Sequence, residues 1–93
     1  MTDALARASF ELLAFIELSD DRTIEPDDAV RAMEEFYGAL RGCTSAELLS
    51  YAAVVDALAA EAVLDPTHAG KLERAEFFRA TAADLRNRAA HTP

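Results

Sequence analysis

Cys43, His68 and His91 are the residues best suited to nucleophilic or metal chemistry in this 93-residue chain, which holds one cysteine and two histidines. A di-metal carboxylate bundle needs Glu-x-x-His pairs facing inward, and the sequence contains none. Its nearest approach is Asp65-Pro66-Thr67-His68. There an Asp followed by Pro reads instead as an N-cap and first helical residue. His68 is therefore expected to be a solvated helix-start residue, and His91 to lie in a frayed end. A single cysteine excludes an internal disulfide and a paired-cysteine zinc site. Cys43 precedes a helix N-terminus, where a thiolate can be stabilised. With no histidine beside it in sequence, it is expected to fill apolar space.

Asp20, Asp21, Glu25, Asp27 and Asp28 fall within nine residues. A calcium loop needs alternating oxygen ligands, a glycine at its sharp turn and a closing glutamate. Here the glycine is missing and Pro26 interrupts the register. The cluster reads either as a solvated loop with a capped helix start or as a negative patch for a basic partner. Three scattered glycines cannot build a phosphate-cradling loop. Arg86-Asn87-Arg88 is the one local basic cluster, and cations are favoured at a helix C-terminus. Among 17 acids spread along the chain no acid–base pair stands out. No enzymatic activity, metal or cofactor is expected.

The elements that carry these residues are helical. Apolar residues make up 52% of the chain, with 21 alanines against four valines, two isoleucines, three glycines and three prolines. This composition favours helix over sheet. The length suits one domain, residues 1–93, with one small core.

Four helices are predicted. The first spans about 2–18, with Leu5, Ala8, Leu12, Phe15 and Ile16 as its core face, widened by Leu13, and Arg7, Glu11 and Ala14 opposite. The second opens at Glu25-Pro26-Asp27-Asp28. It buries Ala29, Val30, Met33, Phe36, Tyr37 and Leu40, presents Asp28, Arg31, Glu34 and Glu35 outward, and stops near Gly42. Thr44-Ser45-Ala46-Glu47 is a capping box that starts a third helix, to Leu64. That helix is apolar nearly all round, so it is either central or covered by another chain; Leu48, Val55 and Leu58 are expected in the core. The fourth runs from Asp65-Pro66 to about Ala90, with Gly70 a weak point and Leu72, Ala75, Phe78, Ala82, Leu85 and Ala89 as its stripe. Short links favour antiparallel neighbours, hence an all-α, up-down four-helix bundle or a distorted relative.

Charge separates along the chain. Residues 1–65 carry 14 acids and four bases; residues 66–93 carry three acids and five bases; the total is −8. Such a balance disfavours nucleic acid and anionic membranes as partners. No apolar run approaches the ~18 residues that span a bilayer. Met1-Thr2-Asp3 lacks the basic start of a signal peptide, so a cytoplasmic location is expected. Either the fourth helix neutralises the first three, or these present an acidic face. Phe10 and Phe77 fall off their helices' predicted stripes and are either flank cover or interface anchors.

The expectation is a small acidic non-enzymatic binding protein that docks on or neutralises a basic protein, as inhibitors of toxins do. Its partner-facing residues would be Asp20, Asp21, Glu25, Asp27, Asp28, Glu34, Glu35 and Phe77. The alternative is a helical structural or scaffolding protein that self-associates, for example as a homodimer, through the apolar third helix.

Overall fold

The computed structural model describes residues 2–66 and 70–92. It contains four helices, α1 (Thr2–Leu18), α2 (Pro26–Leu40), α3 (Ser45–Leu64) and α4 (Lys71–Ala90). No strand occurs among the described residues.

Local hydrogen bonding sets where the helices begin. Glu25 caps α2 by accepting from the Asp27 N–H at 3.4 Å, and Pro26 at the first position needs no partner for its nitrogen. Thr44 caps α3 reciprocally: its hydroxyl accepts from the Glu47 N–H at 3.1 Å, and the Glu47 carboxylate accepts from the Thr44 N–H at 2.8 Å. The end of α4 is tied rather than frayed. His91 Nδ1 lies 2.8 Å from the Asn87 carbonyl, and the Thr92 hydroxyl donates to Arg88 O at 2.8 Å.

The bundle is two antiparallel hairpins laid together. Ser45 Oγ donates to the Ala89 carbonyl at 3.1 Å, so the start of α3 lies beside the end of α4. This α3–α4 contact is the most extensive in the protein. Ala52, Ala59, Ala75 and Ala82 are buried along it, and small side chains let the helices approach closely. In the other hairpin Phe10 meets Phe36 edge-on at 5.3 Å. α1 also touches α3 and α4, whereas α2 packs chiefly against α1. The core gathers Phe10 and Leu13 of α1, Leu40 of α2, Leu48, Val55 and Leu58 of α3, and Phe78 and Leu85 of α4. Thr81, buried among them, donates its hydroxyl to Phe77 O at 2.8 Å and leaves no orphan polar atom.

Three expectations are corrected. α1 is rotated: Ala6, Phe10, Leu13 and Ala14 are buried, while Leu5, Ala8, Leu12 and Phe15 face out. The buried set joins small alanines, which permit close approach to α3 and α4, to one ring that fills the space before Phe36 and Tyr51. Val30 and Leu72 are likewise exposed. α4 begins at Lys71 with Gly70 as its N-cap, and Asp65 stands at the C-cap of α3. The expectation for His68 lies outside the described residues. α3 packs against both α4 and α1, in keeping with a central helix, and its remaining flank exposes Leu49 and Leu64 together with Ala53, Ala57 and Ala60. Among the described residues no helix is long and apolar enough to cross a membrane.

Candidate functional site

The turn between α1 and α2 sorts the clustered acids into two groups. Asp20 shapes the backbone: its Oδ1 accepts from Arg22 N at 3.1 Å, Thr23 N at 3.0 Å and Thr23 Oγ1 at 3.0 Å. The Thr23 hydroxyl, and then the backbone N–H groups, hold the Asp20 carboxyl below its ordinary value. Glu25 is engaged as the α2 cap. Asp21, Asp27, Asp28, Glu34 and Glu35 are exposed, and none enters an ion pair among the described residues. Asp27 and Asp28 stand in the first turn of α2, where the helix dipole favours negative charge.

The ion pairs lie elsewhere. Arg7 grips both carboxylate oxygens of Glu61, at 2.6 and 2.9 Å, and stands 4.0 Å from Glu11. Arg86 pairs with Asp56, and Arg88 with Asp84 at 2.7 Å. Two of the five bases of α4 thus meet acids, one on α3 and one on α4 itself, while Lys71, Arg74 and Arg79 enter no ion pair among the described residues. Arg86 and Arg88, the basic cluster of the sequence, are used within the fold. The acids of α2 keep their charge uncompensated by any neighbouring ion-pair partner.

A shallow groove of about 780 Å³ runs beside this acidic edge, between α1, the turn, α2 and the end of α4. Ile16, Ile24, Val30 and Met33 supply apolar wall, and Glu17, Asp21 and Glu34 line it as well. Arg41 and Arg88 line it too, the Arg88 guanidinium standing 5.2 Å over the Tyr37 ring. Burial raises the Tyr37 hydroxyl's pKa, Asp84 and Glu17 add to this, and Arg88 opposes it. Carboxylates beside open apolar wall can receive lysine or arginine heads together with their methylene stems.

Phe77 does not share this surface. It is half-buried on α4, with its ring at 5.8 Å from that of Phe78 and packed against the core, and it does not line this groove. Phe10, the other off-stripe aromatic, is a core residue. Cys43 is half-buried; burial, and then Glu47, push its thiol pKa up, against a hydrogen bond from Tyr51. A thiol so placed is protonated at neutral pH and is a poor nucleophile. Among the described residues no group of histidine, cysteine and carboxylate side chains is arranged to hold a metal ion.

Leu5, Leu12 and Phe15, which the sequence pattern assigned to the core, form an apolar stripe on the outer side of α1. The signal for it is the helical spacing itself, which marks a face without saying what covers it. No family model, curated protein or solved structure matches this chain.

Proposed function

We propose that this chain is a small, non-enzymatic, acidic binding protein that docks on a basic protein and neutralises it, in the manner of an immunity protein or antitoxin. The observation that carries the reading is the local excess of acid: between residues 20 and 35 seven acids stand with only Arg22 and Arg31. Arg7, Arg86 and Arg88 are spent on Glu61, Asp56 and Asp84, while Asp21, Asp27, Asp28, Glu34 and Glu35 stand exposed without an ion-pair partner among the described residues. Each such rim charge is worth little alone, about 0.2–1 kcal/mol, but several of one sign steer association. A cytoplasmic setting fits, since a lone thiol stays reduced there. Self-association through α3 has less to rest on, because each copy carries a charge of −8, although the uncovered flank of that helix exposes Leu49 and Leu64 among its alanines.

The test is kinetic. A basic protein retained by the immobilised chain at low salt is purified, and its association rate is measured against the wild type and an Asp21→Lys, Glu34→Lys, Glu35→Lys variant. These positions carry no structural hydrogen bond among the described residues, so far-UV circular dichroism should be unchanged. Association should slow by ~10-fold or more at ~20 mM salt, and the gap should close as the Debye length shrinks toward ~4 Å at ~500 mM. Equal rates at low salt would show the acids to be ordinary solubilising surface.

A further inference from the structure

α1 is apolar on two faces, and the fold uses one of them. Ala6, Phe10, Leu13 and Ala14 are buried inside the bundle. On the outer face Leu5 is 71% exposed, Leu12 59% and Phe15 51%. With Ala8 these residues step by three, four and three along the helix, the spacing by which one helix seats another. The seam is longer than a single contact: from Leu5 to Phe15 it covers about 15 Å at ~1.5 Å per residue, some three turns of the 17-residue α1.

The seam has an acidic border. Between it and α2 runs a groove of about 390 Å³, lined by Leu12, Leu13, Ile16, Ala32 and Phe36, with Glu35 on its α2 wall. Asp28 lies seven residues earlier, two turns along the same side of α2. Neither acid enters an ion pair among the described residues, although Arg31 stands between them on that side. Glu11 borders the other edge, and its nearest base, Arg7, is committed to Glu61. A second copy of this chain would set one charge of −8 against another, which costs association.

We propose that the outer face of α1 is the seat of an amphipathic helix from a basic protein, with aliphatic residues at three-four spacing entering between Leu5, Leu12 and Phe15, and lysines or arginines along the edge facing Glu35 and Asp28. The inference rests on the acidic-docking reading above for the charge of the partner. It adds the apolar anchor, the secondary structure of the docking segment and its place on the molecule. Aliphatic anchors supply affinity and the flanking charges supply orientation and rate.

Two synthetic three-heptad peptides serve as probes. One carries leucine at every a and d position and lysine at e and g; the other has the same composition with the leucines scattered around the helix. Binding is followed by fluorescence anisotropy, and the contacted amides by NMR shift changes. The seam peptide should bind at least ~10-fold tighter than its scattered isomer, with shifts centred on Leu5, Ala8, Leu12 and Phe15. Leu12→Ser with Phe15→Ser should reduce its binding to the level of the isomer. Should that double variant lose helical signal, Leu5→Ser, at the most exposed of the three positions, gives the same comparison.

Equal binding of the two peptides, or unchanged binding by a folded serine variant, would overturn the inference. So would sedimentation equilibrium showing a wild-type dimer that the serine variant dissociates, since the seat would then belong to a second copy. The two readings fail separately. If the Asp21→Lys, Glu34→Lys, Glu35→Lys variant loses both peptides while the serine variant keeps both, acidic docking stands and the α1 seat falls. If the serine variant loses the seam peptide while charge reversal changes nothing at low salt, the seat stands and the acidic reading falls.

Discussion

The rotation of α1 can be decided by comparing two alanine substitutions two residues apart. Phe10 is 2% exposed, with ring contacts to Phe36 at 5.3 Å and to Tyr51 at 6.2 Å. Phe10→Ala should cost about 3–5 kcal/mol, because it removes a buried ring and leaves a cavity; the edge contact with Phe36 accounts for about 0.5–1.5 kcal/mol of this. Leu12 lies on the outer face and is 59% exposed. Full burial of the three carbons lost in Leu12→Ala would be worth about 2.4 kcal/mol at ~0.8 per carbon, so the two-fifths actually covered give about 1 kcal/mol. The better helix propensity of alanine returns about 0.2 kcal/mol. At ~0.05–0.15 kcal/mol per residue, a chain of this length holds about 5–14 kcal/mol in all. Urea unfolding followed by far-UV circular dichroism separates the two substitutions. With a slope of about 1 kcal/mol/M, the midpoint should fall by about 3–5 M for Phe10→Ala and by under about 1 M for Leu12→Ala. Equal shifts, or the reverse order at unchanged slope, would mean that α1 buries its Leu5–Leu12–Phe15 face and would refute both the packing and the docking seat.

Thr44→Ala should cost about 1 kcal/mol at neutral pH, since it strands an N–H at the start of α3. The Thr44 N–H holds the Glu47 carboxyl below its ordinary 4.5, so that contribution is full above this pH and is lost as pH falls through the depressed value. The stability gap between wild type and Glu47→Gln should therefore be constant from pH 7 to about 5 and close at more acid pH; a gap that widens in acid would contradict the box. Cys43, raised above its ordinary 9.0 by burial, should react with a disulfide reagent at pH 7 more slowly than a free thiol, and its rate should still be climbing at pH 9 rather than levelling off; rapid neutral labelling would overturn that environment. Phe77→Ser should lower stability by about 1–3 kcal/mol, the loss for a half-buried ring. A negligible loss would return Phe77 to the list of exposed anchors.

The helix beginnings at Pro26 and Ser45 are legible in the sequence because their causes are local. A cap hydroxyl, a returning glutamate and a proline without an N–H act within four residues of one another, whatever the rest of the chain does. The core positions Leu48, Val55 and Leu58 of α3 and Ala75, Phe78, Ala82, Leu85 and Ala89 of α4 are legible from their three-four spacing, although α3 is apolar nearly all round and its Leu49 and Leu64 stay exposed. α1 has two stripes of helical spacing, and periodicity cannot choose between them. The choice belongs to the neighbours: Ala6 and Ala14 admit α3 and α4 closely, and Phe10 fits before Phe36 and Tyr51. The start of α4 was misplaced for a similar reason, since Asp65 lies in the span that closes α3.

Acidic composition was plain from the counts, but which acids keep their charge unpaired was not. Arg7 finds Glu61 54 residues away, and Arg86 finds Asp56 30 residues away. Such pairings arise only when separate helices are brought together, because a long side chain takes the partner that packing puts within reach. The sequence by itself therefore determined that this is a helical, strongly acidic chain with defined helix starts. Tertiary packing alone decided which arginines reach which acids, with those of α2 outside any ion pair among the described residues, and that an apolar face of α1 is left outside the core.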